Sequence, residues 1–180
     1  MTLTTLSKAI CKEFKDYFPK LVICKPHGGP LDKEELTQIT TQVPAIYVAV
    51  LGTEKGNPKG GGQTGTSVNL KAFVVTKDKP DLPKEEAALN IVEGLLERIP
   101  GSNWGCKEVE SAKPAAAKNL YSDARKLEVA LWSVSWSQTV CLGKDAFETE
   151  LPHPTHLYVG QKPKIGNGHE NDYTLLEKKS

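Results

Sequence analysis

The spacing of apolar positions changes several times along the chain, and each change marks an element. Leu3, Leu6, Ile10, Phe14, Tyr17 and Phe18 recur every three or four residues, with Lys8, Lys12 and Lys15 on the opposite side. That period predicts an amphipathic helix. Thr2 or Thr4 offers a capping oxygen, and Pro19 ends the helix. Residues 21–25 read as a short strand, 26–30 as a loop and 32–40 as a brief helix. Residues 44–51 are almost wholly apolar, as in a central strand covered on both faces. A second strand is predicted over 68–76. Between the two, residues 52–67 carry six glycines in polar company and read as a long, mobile hairpin loop.

A second helix begins near Pro83, with Glu85 and Glu86 close to the positive end of its dipole. Ala88, Ile91, Val92, Leu95 and Ile99 form its apolar stripe, and Pro100-Gly101 stops it. Residues 104–111 have the character of a strand. Residues 113–123 are ambiguous: their alanines favour helix, whereas Pro114 and the polar stretch at 119–123 favour an extended connection. Over 127–142 the period becomes two. Trp132, Val134, Trp136, Val140 and Leu142 alternate with serines, Thr139 and Cys141, which puts both tryptophans in the core. Gln138 is the one polar residue on that apolar face.

From Gly143 the pattern fades. Prolines, glycines and three of the four histidines accumulate, with only scattered apolar anchors. The chain thus divides into an α+β domain over 1–142 and an extended C-terminal tail over 143–180. The order of elements predicts a mixed, mainly antiparallel twisted sheet flanked by helices, with a long hairpin loop and an extended C-terminal arm.

Composition narrows the function more by exclusion than by assignment. The 180 residues carry a formal net charge of +1, so no strong attraction to nucleic acid or anionic lipid is expected. No apolar run approaches the roughly 20 residues of a membrane span, and no secretory signal is legible at the N-terminus. Cys11, Cys24, Cys106 and Cys141 lie far apart, in or beside apolar runs, and read as free thiols of a reducing cytosol.

The motifs that come closest to chemistry fall short of it. Gly60-Gly-Gly-Gln-Thr-Gly65-Thr-Ser67 approaches a phosphate-binding loop. However, Thr66 stands where the lysine is needed, and a strand rather than a helix is predicted after it. Trp132-Ser-Val-Ser-Trp136-Ser137 differs by one residue from the Trp-Ser box of cytokine receptors and is better explained by strand periodicity. His153 and His156 are three apart, but Pro154 breaks any helix that would align them, and no cysteine follows Cys141. The sequence therefore assigns no catalytic, cofactor-binding or metal-binding residue and no cofactor, and points away from an enzyme.

Five segments taken in order carry a resemblance. They are Val43-Pro-Ala-Ile-Tyr-Val-Ala-Val-Leu-Gly52, Asn69-Leu-Lys-Ala-Phe-Val-Val-Thr76, Glu86-Ala-Ala-Leu-Asn-Ile-Val-Glu-Gly-Leu-Leu96, Asn119-Leu-Tyr-Ser122 and Leu131-Trp-Ser-Val-Ser-Trp-Ser-Gln-Thr-Val-Cys-Leu142. Together they resemble the tail-terminator family of Mu-like contractile-tailed bacteriophages, over roughly residues 3–142. The glycine-rich segment and the tail from Gly143 depart from that pattern. The resemblance implies a small α+β domain without an active site. It also implies a homohexameric ring that caps the head-proximal end of the tail tube, stops tail polymerisation and provides the head–tail joining face. The implied partners are other copies of the chain, the tail tube protein, the tail sheath and neck or connector proteins. Genomic DNA would pass through the ring without specific recognition, and no membrane is involved. The implied location is the neck of the virion tail, after synthesis in the bacterial host's cytoplasm. Two other readings fit the residues: a monomeric adaptor or head–tail connector component that binds through its tail, and a small nucleotide-binding enzyme that uses the loop at 60–67.

Overall fold

The computed structural model describes residues 1–29, 31, 37–38, 42–120, 128–143 and 156–178. Two compact units emerge, Met1–Ala146 and Phe147–Ser180. In the first, α1 (Leu3–Tyr17) starts where Thr2 accepts the Thr5 N–H on its side-chain oxygen. Strands β1 (Ile23–His27), β2 (Ala45–Thr53), β3 (Asn57–Pro58) and β4 (Thr64–Lys77) follow. Next come α2 (Lys84–Arg98), β5 (Ala116–Asn119) and β6 (Val129–Leu142).

The sheet runs β1-β2-β4-β6-β5, with β3 pairing β4. β1 lies parallel to β2 and every other pairing is antiparallel. The protein is thus α+β, with a mixed and mainly antiparallel sheet, as the element order predicts. β4 and β6 form its spine, in register from Thr64↔Leu142 to Lys77↔Val129.

Alternation along the strands builds two cores. On one face Ile46, Val48, Val68, Leu70, Ala72, Val74, Val134 and Trp136 pack against both helices. The helices contribute Leu6, Ile10, Cys11 and Phe14 from α1 and Val92, Leu95 and Ile99 from α2. On the other face lie Ala45, Tyr47, Ala49, Phe73, Val75, Val129 and Leu131. The near-continuous apolar run of β2 is accounted for by these two faces, each of which takes alternate residues. Arg98 of α2 pairs with Glu13 of α1 across the helical layer.

Three expectations are corrected. Residues 52–67 are half strand rather than one long loop. β2 and β4 stay paired to Thr53↔Val68, with Leu51 bulged out between Val50 and Gly52. The hairpin then continues as β3 on β4. The physical reason is the partner strand: β6 reaches Leu142 and recruits Thr64, Gly65 and Thr66 into the ladder despite their weak apolar pattern. Residues 104–111 form no strand beyond a bridge from Val109 to Val140. Gly101 and Gly105 at positive φ turn the chain there, while Trp104, Val109 and Ala112 still reach the core. The short strand expected at 21–25 runs instead over Ile23–His27, taking Pro26 and His27 from the expected loop. Within the ambiguous stretch 113–123, Ala116–Asn119 forms the exposed strand β5, and 121–123 lie outside the described residues. The brief helix expected over 32–40 falls largely outside the described residues.

In the second unit, β7 (His156–Val159) pairs antiparallel with β8 (Thr174–Lys178), with a register shift between Leu157 and Tyr158. The Gly166 N–H donates to the Tyr173 hydroxyl. Tyr158, Val159, Leu175 and Leu176 stay exposed on this small sheet.

Candidate functional site

The glycine-rich segment, singled out by its likeness to a phosphate loop, is folded in a way that removes the likeness. Gly60–Gly62 is a single tight turn, and β4 begins at Thr64. Thr64, Gly65, Thr66 and Ser67 are thus strand residues whose backbone groups belong to the β4–β6 ladder. A phosphate cradle needs free N–H groups at a helix N-terminus, and the element after the glycines is a 14-residue strand.

Lys59 closes the turn. Its Nζ lies 2.7 Å from Glu110 Oε1, and its N–H bonds to the Gln63 carbonyl at 2.8 Å. The hydrogen bond from Lys59 holds the Glu110 carboxyl below the usual carboxylate range, and the same contact raises the Lys59 ammonium above its ordinary value. The pair ties the hairpin extension to the segment running beside β6, where the Cys141 N–H bonds to the Glu108 carbonyl at 2.7 Å.

The histidines that are described make local contacts. His153 lies outside the described residues, His169 sits 3.1 Å from Asp172, and the His27 ring contacts the Gly29 backbone. Among the described residues no group of three or more His, Cys, Asp or Glu is placed to hold a metal ion. No described helix is long and apolar enough to cross a membrane.

An open apolar groove of about 360 Å³ lies beside the C-terminal end of α1. Tyr17, Phe18, Leu21, Pro44, Leu82 and Ile91 line it. One sign of it is legible in the sequence: Phe18 and Leu21 continue the apolar character of α1 past the helix end. Gly94 of α2 leaves the notch that Phe18 occupies, since a Cβ there would sit 2.8 Å from the Phe18 ring. Apolar concavities of this kind are suited to contact with other macromolecules or ligands rather than to acid–base chemistry.

Comparison with protein-family models and with curated proteins finds no match. The functional reading therefore stands on the residues and on the fold.

Proposed function

We propose that the chain is a structural virion protein, a phage tail terminator. Its copies close into a ring, six being the number the resemblance implies. The ring caps the head-proximal end of the tail tube, stops its growth and offers the joining face for the head. One observation carries the reading. Four of the five resembling segments fall on β2, β4, α2 and β6, the helix-backed body of the sheet rather than scattered loops, and the remaining one starts at Asn119, the last residue of β5, and runs outside the described residues. The mixed α+β architecture is also the one the resemblance implies.

The surface is compatible with assembly. A closed ring needs two different patches on each subunit that fit one another. The groove beside Tyr17 supplies apolar surface on the first unit, and Tyr158, Val159, Leu175 and Leu176 supply it on the second. The sheet ends in β1 and β5, and such edges can pair across subunits. The implied partners are the tail tube protein, the sheath and the neck proteins, with no catalytic step and no cofactor. The neck of the virion tail is the location this reading assigns.

Electron microscopy of the purified full-length protein, alone and with tail tubes, tests it together with native mass. Rings or capped tubes are the expected result. A monomer that forms no rings and leaves tube ends bare would overturn it and favour the adaptor reading.

A further inference from the structure

The two helices that back the sheet carry opposite charge on the flanks they turn outward. α1 packs on β1 and β2, and α2 on β4, β5 and β6. Glu13 of α1 pairs with Arg98 of α2, and the Phe18 ring lies against Gly94, which fixes the flanks the helices turn to each other. Lys8, Lys12 and Lys15 recur at spacings of four and three on the flank of α1 turned away from α2. Lys15 Nζ donates to the Val22 carbonyl at 3.2 Å, so this flank lies over the entry to β1, an edge strand.

On α2, Glu86, Leu89, Glu93 and Glu97 recur at spacings of three, four and four. They avoid the core side of Ala88, Val92 and Leu95, and Leu89 and Glu93 lie opposite Ala87 and Ile91, which face α1 across the groove. The lysines and glutamates of both stripes are exposed. Among the described residues, the ion pairs within the chain use none of Lys8, Lys12, Glu86, Glu93 and Glu97. Asp16, exposed one turn beyond Lys12, leaves the α1 stripe net positive. Each stripe also holds an exposed apolar side chain: Val22, 53 % exposed, beside the lysines, and Leu89, 49 % exposed, among the glutamates. An apolar centre within a charged rim is the anatomy of a protein–protein contact.

We propose that the lysine flank of α1 in one copy docks on the glutamate stripe of α2 in a second copy, with Val22 and Leu89 shut away from water between them. This is one of the contacts that close the ring, and it rests on the assembly proposed above. Charge selects the occupant. α1 against α1, or α2 against α2, would set like charges together, whereas α1 against α2 sets opposite ones together. The stripes lie on opposite flanks of the helix pair, so one neighbour cannot cover both. The contact therefore runs head-to-tail, and each copy keeps one stripe free for the next, as ring closure requires. A single exposed ion pair contributes little; the contact needs several of them around its apolar centre.

The test exchanges the charges in the full-length protein. Lys8→Glu/Lys12→Glu makes both stripes acidic, and Glu86→Lys/Glu93→Lys makes both basic. Because these side chains are exposed, each variant should melt at the parent's temperature. Native mass and electron microscopy should show that each variant alone loses the parent's rings. An equimolar mixture of the two should regain them, since every acidic stripe then meets a basic one. All four substitutions in one chain should regain them as well, and added salt should loosen the parent's rings. Variants that assemble as the parent does would overturn this contact and leave the ring standing. Rings lost in each variant but restored neither by mixing nor by combination would also overturn it, since charge pairing would not be the cause. A parent that forms no ring, alone or on tail tubes, would remove the ring itself and this contact with it.

Discussion

Gln138 sits on the helix-facing side of β6, opposite Val68 and flanked along that face by Trp136 and Val140. Its Oε1 accepts the Trp104 indole N–H at 2.7 Å, and its Nε2 donates to the carbonyls of Ser102 and Glu110 at 2.9 and 2.7 Å. A buried amide costs free energy unless its bonding capacity is filled, and here three partners fill it. The network also holds Trp104, whose φ of 58° lies in the left-handed region, with its ring 5.4 Å from Phe14 and 6.2 Å from Trp136. Gln138→Leu would leave the Trp104 indole donor and the Glu110 carbonyl unpaired, whereas the Ser102 carbonyl keeps the Ala112 N–H. At about 1–3 kcal/mol per stranded group, less the apolar gain of leucine, a loss of about 2–4 kcal/mol is expected in urea unfolding. An unchanged midpoint would show that water replaces the amide. The tryptophans of β6 should separate. Trp136 is 4 % exposed, so Trp136→Ala should cost about 3–5 kcal/mol. Trp132 is only half-buried against the same core and should cost clearly less, whereas the sequence alone makes the two equivalent. That Gln138 breaks an apolar face was legible. What it does there was not, because its partner Trp104 lies 34 residues away in a segment whose period suggests a strand.

At the scale of elements, local chemistry was readable where it is local and failed where a partner strand decides. Both long helices begin and end close to where capping, charge and proline place them, and β2 and β6 follow from their apolar periods. The hairpin extension did not, since Thr64, Gly65 and Thr66 are strand residues only because β6 is there to pair with them. The start of α2 also has a part that spacing hides. The Lys84 N–H donates to Asp78 Oδ1 at 2.9 Å, and the Lys84 ammonium lies 3.3 Å from Asp78 Oδ2. The backbone hydrogen bond is the largest cause that lowers the Asp78 carboxyl below its usual value of 3.8. A lowered folded value means that the stabilisation is fully present above the unfolded value and lost as pH falls through the folded one. Asp78→Asn should therefore melt lower than the parent at neutral pH, and the gap should narrow only as pH falls below 3.8 and through the lowered folded value. A gap that persists in acid would point to lost hydrogen bonding rather than lost charge. Gly94 offers a competition of known signs. Alanine gains up to about 1 kcal/mol in helix propensity, but its Cβ would press on the Phe18 ring at 2.8 Å, and overpacking costs about 1–3 kcal/mol. Gly94→Ala is expected to destabilise. A rise in melting temperature would mean that Phe18 swings into the groove.

The chain divides into a body with two apolar faces and a second unit whose described residues form a small two-stranded sheet with exposed apolar side chains. The division was legible as a change of composition near Gly143, but the pairing of β7 with β8 was not, because the anchors there are isolated among prolines and glycines. A lone two-stranded sheet is marginal in water. Ordering its backbone costs about 1–2 kcal/mol per residue, and Tyr158, Val159, Leu175 and Leu176 remain exposed rather than buried. In the proposed ring, a neighbouring subunit or a tail protein would supply the surface these side chains lack. The second unit is therefore expected to be held loosely in a free subunit and firmly in the assembly. Hydrogen exchange reads this directly. Backbone amides of residues 157–176 should exchange quickly in the free subunit, while those of β4 and β6 are strongly protected. The amides at 157–176 should slow in the assembled particle. Equal protection in both states would show that the second unit is stable by itself and takes no part in assembly. A chain shortened to residues 1–146 gives the complementary measurement. It should keep the protection of β4 and β6 but form rings poorly, and normal capping of tails by that shortened chain would place the subunit contacts entirely on the first unit.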